Sequence, residues 1–84
     1  MTETVPVLIV CDESMVPIYA KPGDAGADLR ASHDAVVPAG DRVLVKTGCS
    51  LALPGGYVGL VHPRSGLALN HGITVLNSPG TIDA

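Results

Sequence analysis

No stretch of this chain keeps a helical hydrophobic period for more than about two turns, which narrows the folds open to it more than any other feature. Short runs rich in Val, Ile and Leu recur instead, cut apart by Gly, Pro and Asp. Residues 5–11 form an apolar run broken only by Pro6. Residues 35–38 and 42–46 flank the turn formed by Pro38, Ala39, Gly40 and Asp41, which reads as a hairpin. Residues 50–53 and 57–62 flank Pro54, Gly55 and Gly56, a second hairpin, and residues 72–76 are a further β-branched run. Strand-length runs at roughly 8–12-residue spacing with turn residues between them indicate an all-β sandwich, jelly roll or barrel.

Residues 65–72 are the exception. Ser65 suits an N-cap, Leu67 and Ala68 favour helix, and Gly72 can take the left-handed stop. One short helical turn is expected there. Its first N–H groups, at Arg64 and Ser65, suit an anion.

Eighty-four residues fit a single small β domain. Hydrophobic residues make up 46%, yet there are two Tyr, no Phe and no Trp, so any core must be aliphatic. Such a core removes little area from water, and association with other chains is the expected support. Cys11 and Cys49 lie in apolar runs without metal-like spacing and read as buried, reduced thiols of a cytoplasmic protein. No signal peptide is visible, and the longest apolar run falls far below the ~20 residues of a membrane span. The net charge is −3 and no basic patch is present, which argues against nucleic acid as partner. A small phosphorylated ligand carrying a metal fits better.

Three segments carry chemistry. In residues 25–31, Asp28 follows Gly26 and could hold waters of a Mg²⁺ ion; taken alone it reads first as a turn aspartate. In residues 63–68, Arg64 offers a planar fork for two phosphate oxygens, beside the Ser65 hydroxyl and Gly66; alone, it is a surface Arg next to a capping Ser. In residues 77–84, Asn77 could read a base edge or form an Asx-turn, and Asp83 could deprotonate a water or sit in a β-turn. His33, His62 and His71 share no ligand spacing, so no zinc site is expected. Ser65 has no evident activating partner, so covalent catalysis is not expected either.

Read together, in this order and at these separations, the three segments resemble the first three conserved motifs of the trimeric deoxyuridine triphosphatases. The resemblance covers roughly residues 5–84. It implies a jelly-roll subunit in a homotrimer with active sites at subunit interfaces, and Mg²⁺-dependent hydrolysis of dUTP to dUMP and pyrophosphate. By that resemblance Asp28 helps hold the hydrated Mg²⁺ through water, and Arg64, Ser65 and Gly66 cradle the phosphates. Asp83 orients the attacking water, and Asn77, Gly80, Thr81 and Ile82 line the uracil and deoxyribose pocket. The third motif comes from a different subunit than the first two, so Asp28 and Asp83 of one chain serve different sites.

Family members continue past the third motif with a tyrosine, a fourth motif and a mobile glycine-rich arm. The chain is therefore expected to be the first part of such a domain, with an unpaired sheet edge and little activity alone. Three other readings compete. A dCTP deaminase shares the fold, but tends to carry Ser where Gly66 stands and uses a glutamate with no obvious candidate here. A non-catalytic nucleotide-binding regulatory module is the second, and a purely structural β domain the third.

Overall fold

The computed structural model describes residues 4–84. Four strands of three residues each alternate with turns and one helix: β1 (Leu8–Val10), β2 (Ser50–Ala52), β3 (Gly59–Val61) and β4 (Gly80–Ile82), with α1 (Ser65–His71) between β3 and β4. A 3₁₀ turn at Glu13–Met15 follows β1. The strands form two two-stranded sheets, β1 with β2 and β3 with β4. The β-rich character read from the sequence is therefore present, with one short helix. The chain divides into two compact units, Leu8–Leu51 and a second made of the segment ending at Val7 with Ala52–Ala84.

In the Leu8–Leu51 unit, backbone bonds tie short loops together. Ile18 and Asp28 form an isolated antiparallel bridge in which the Asp28 N–H donates to the Ile18 carbonyl at 2.8 Å. The turn around Pro38–Asp41 forms as expected, with the Asp41 N–H on the Pro38 carbonyl at 3.0 Å and Gly40 at φ 76°. The strands expected on either side of it, residues 35–38 and 42–46, do not form. Side chains take the ladder positions instead. The Ser32 N–H and hydroxyl both donate to the Lys46 carbonyl, at 2.8 and 3.0 Å. The Lys46 N–H donates to His33 Nε2 at 3.0 Å. Since Nε2 accepts, Nδ1 carries the proton and donates to the Asp34 carbonyl at 3.0 Å. Ser32 and His33 thus occupy both backbone groups of Lys46, which a ladder at that residue would need.

The second expected hairpin is also corrected. The turn is present, with the Tyr57 N–H on the Pro54 carbonyl at 3.2 Å. Its flanking strands, however, find other partners: β2 pairs with β1, and β3 with β4. Residues 72–76 are not a strand either. That leaves β3 as the antiparallel partner of β4, in the register Gly59↔Ile82, Leu60↔Thr81 and Val61↔Gly80.

α1 runs two turns rather than one. Ser65 is not its cap. Arg64 is, with extended φ −96° and ψ 135° and no side-chain capping bond. The Arg64 carbonyl already accepts from the Ala68 N–H at 3.0 Å, which moves the helix start one residue earlier than the Ser65 hydroxyl suggested. Gly72 does end the helix, at φ 65° and ψ 23°. Its N–H reaches the Ala68 carbonyl and the Ile73 N–H reaches the Leu67 carbonyl, both at 3.1 Å.

The expected aliphatic core is not closed by these residues: among those described, no hydrophobic side chain is buried. Val36, Leu44 and Leu69 remain more than four-fifths exposed. Three-residue strands in two-stranded ribbons offer too little face to enclose them. Cys11 and Cys49 are accordingly half-buried free thiols rather than the fully buried ones expected.

Candidate functional site

Every candidate from the second and third segments falls in the unit that holds Ala52–Ala84. The β3–β4 ribbon organises them. β3 runs Gly59 to Val61 and leads through His62 and Pro63 to Arg64, Ser65 and Gly66 at the start of α1. β4 runs the opposite way. The chain enters it from Asn77, through Ser78 and the cis Ser78–Pro79 bond, at the end where β3 finishes. It leaves toward Asp83 at the end where β3 begins. Residues 64–66 and Asn77 thus adjoin one end of the ribbon, and Asp83 the other.

Gly80 is the buried residue among those described. A Cβ there would meet Val61 Cβ at 3.4 Å and Asn77 Nδ2 at 3.7 Å. The Asn77 amide therefore lies beside Gly80, within ordinary contact of where a Cβ would stand. Thr81 is exposed and Ile82 half-buried, facing Leu60 and Gly59 across the ladder. Asp83, Arg64, Ser65 and Gly66 are exposed. Val61, which supports Gly80, was not among the sequence candidates. Its signal was its place two residues before Pro63, at the end of an apolar run.

Asp28 belongs to the other unit, where its backbone is fixed by the bridge to Ile18 and its residue is half-buried. His33 is committed to backbone partners on both ring nitrogens. Among the described residues no group of three or more His, Cys, Asp or Glu is placed to hold a metal ion. A single carboxylate such as Asp28 still matches the way Mg²⁺ is commonly held, by one or two carboxylates with water and phosphate oxygens completing its shell. The donor set fits a metal that arrives with a phosphate chain better than one caged by protein.

Among the described residues, no helix is long and apolar enough to cross a membrane.

Residues 12–84 match the family model described as dUTPase. Three relatives, each named deoxyuridine 5'-triphosphate nucleotidohydrolase, illustrate the likeness. The protein from Cutibacterium acnes is 52% identical over 84 residues, 100% of this chain and 55% of the relative. That from Thermobifida fusca is 58% identical over 69 residues, 82% of this chain and 38% of the relative. That from Nocardia farcinica is 59% identical over 69 residues, 82% of this chain and 42% of the relative. The chain spans about half the length, or less, of these curated relatives.

Proposed function

The chain belongs to the dUTPase family, and from that premise we propose that the protein carrying it hydrolyses dUTP to dUMP and pyrophosphate. The observation that carries the reading is the family match over residues 12–84, which takes in all three chemical segments. The names of the relatives support the same reaction.

Arg64 supplies the charged fork for the phosphate oxygens, with Ser65 and Gly66 adding a hydroxyl and an unobstructed backbone. Asn77, Gly80, Thr81 and Ile82 hold the uracil and deoxyribose. The Asn77 amide lying beside the buried Gly80 supports this, since it places two of these residues together. Asp83 orients a water toward the α-phosphorus and takes its proton as the new P–O bond forms and the bond to pyrophosphate breaks. Asp28 holds Mg²⁺ through water, and the ion when bound neutralises charge on the triphosphate.

Arg64 and Asp83 leave opposite ends of one ribbon, which supports pockets assembled from more than one copy of the chain. The arrangement we propose is a homotrimer with interfacial sites. A nucleotide substrate and free thiols suit the cytoplasm.

Pyrophosphate release by the whole protein tests the reading. Asp83→Asn should lower kcat by about 10²–10⁴-fold while leaving dUTP binding within a few-fold. A change in kcat of less than about threefold would remove Asp83 from the chemistry. Ammonia release from dCTP in place of pyrophosphate from dUTP would move the protein to the deaminase branch.

A further inference from the structure

Cys11 directly follows β1, and Cys49 directly precedes β2. The two strands are hydrogen-bonded neighbours in one small antiparallel sheet. In such a pair the residue after one strand faces the residue before the other. Facing positions lie at Cα separations of about 4.5–5.5 Å, within the ~4.4–6.8 Å that a disulfide spans. The side chains agree: the Cys49 thiol is close enough to be among the groups that act on the Cys11 thiol. Cys49 Sγ in turn donates to the Met15 carbonyl at 3.3 Å. Cys49 thus sits between Cys11 and the 3₁₀ turn at Glu13–Met15. Both residues are half-buried and free, within the same compact unit.

We propose that Cys11 and Cys49 are a modification site, a thiol pair that closes reversibly to a disulfide by exchange with a low-molecular-weight disulfide. The Cys11 thiolate attacks one sulfur of the oxidant and releases its other half as a thiol. Cys49, having lost its proton, then attacks the mixed disulfide at Cys11 and releases the second half. Two protein thiols and one small disulfide become one protein disulfide and two small thiols, so electrons and protons balance. The product staples β1 to β2. It also removes the proton that Cys49 gave to the Met15 carbonyl, freeing the turn at Glu13–Met15 from that bond.

This inference is independent of the reading of the nucleotide site. Partial burial leads the causes that push the Cys11 thiol up, followed by the hydrogen bond to Cys49. Exchange is therefore slow near neutral pH and accelerates as pH rises.

The test incubates the whole protein with oxidised glutathione, then alkylates it without reduction and maps its peptides by mass spectrometry. The expected result is one peptide pair joined through Cys11 and Cys49, no lasting glutathione on either, and recovery of both thiols with dithiothreitol. In Cys11→Ser or Cys49→Ser the remaining cysteine should instead keep its glutathione, because no second thiol resolves it. Stable glutathione on both cysteines of the unsubstituted protein, or full alkylation of both after oxidation, would overturn the proposal. The peptide map of the unsubstituted protein is decisive even if a serine variant fails to fold.

Discussion

Replacing Gly59 with alanine should weaken the β3–β4 ribbon measurably. Gly59 faces Ile82 in the ladder. A Cβ at Gly59 would stand 3.2 Å from Leu53 Cδ1, 3.3 Å from Ile82 Cβ and 3.5 Å from Ile82 Cδ1. Contacts of 3.2 and 3.3 Å are tighter than an ordinary Cβ contact, so the neighbours must give by a few tenths of an ångström. The Leu53 methyl is the far end of a flexible side chain and can swing aside. Ile82 Cβ is fixed to the backbone and cannot. Overpacking of this kind costs about 1–3 kcal/mol. Alanine also restricts the unfolded chain, which returns about 0.4–1 kcal/mol. The net expectation is a loss of about 0.5–2 kcal/mol.

Gly55 supplies the control. Nothing lies within 4 Å of a Cβ there, and its φ is outside the left-handed region. Gly55→Ala should be neutral or slightly stabilising. Urea unfolding of the whole protein at matched concentration compares the two variants. The Gly59→Ala midpoint should fall with the slope unchanged, and Leu53→Ala should rescue it only in part. Equal midpoints for the two glycine variants would show that the ribbon opens freely, and the packing argument would fail.

Two further outcomes are expected. His33→Phe removes the acceptor for the Lys46 N–H and the donor to the Asp34 carbonyl. Each bond is worth about 0.5–1.5 kcal/mol, so amide exchange at Lys46 should quicken by roughly an order of magnitude, and unchanged exchange would contradict the assigned tautomer. The second outcome concerns Cys11, whose thiol is pushed up from the ordinary 9.0 by partial burial, the Cys49 hydrogen bond and the charges of Cys49 and Asp12. Folding thus favours the protonated form. Its contribution is fully present below the unfolded value and is lost as pH rises through the folded one. Alkylation of Cys11 in the Cys49→Ala variant should level off at lower pH than in the unsubstituted protein, and coincident profiles would refute the coupling.

Turn chemistry was the most legible layer of the sequence. Pro38, Gly40 and Asp41, then Pro54 and Gly56, mark turns that form where glycine and proline demand them, and Gly72 ends the helix as its missing Cβ allows. Strand pairing was far less legible. Apolar runs say where strands can form but not which run each one meets, so β2 and β3 were joined to each other when each pairs elsewhere. The loss of the strands around residues 35–46 came from Ser32 and His33, whose side chains compete for Lys46 at a range that periodicity does not register. The three chemical segments were recognisable because their glycines and charges are tied to local geometry, as Gly80 under Asn77 illustrates. The contact between Cys11 and Cys49 was missed, because 37 intervening positions separate them in the chain and only the β1–β2 pairing reveals it.

Opposed exits from the β3–β4 ribbon carry a genetic meaning. An allele crippled at Arg64 and another crippled at Asp83 lie beyond different ends of the same ribbon. In mixed trimers of the arrangement proposed above, about a quarter of the pockets would draw both intact groups from unlike neighbours. Two silent alleles, expressed together, would then complement each other, whereas two alleles altered at the same end would stay silent.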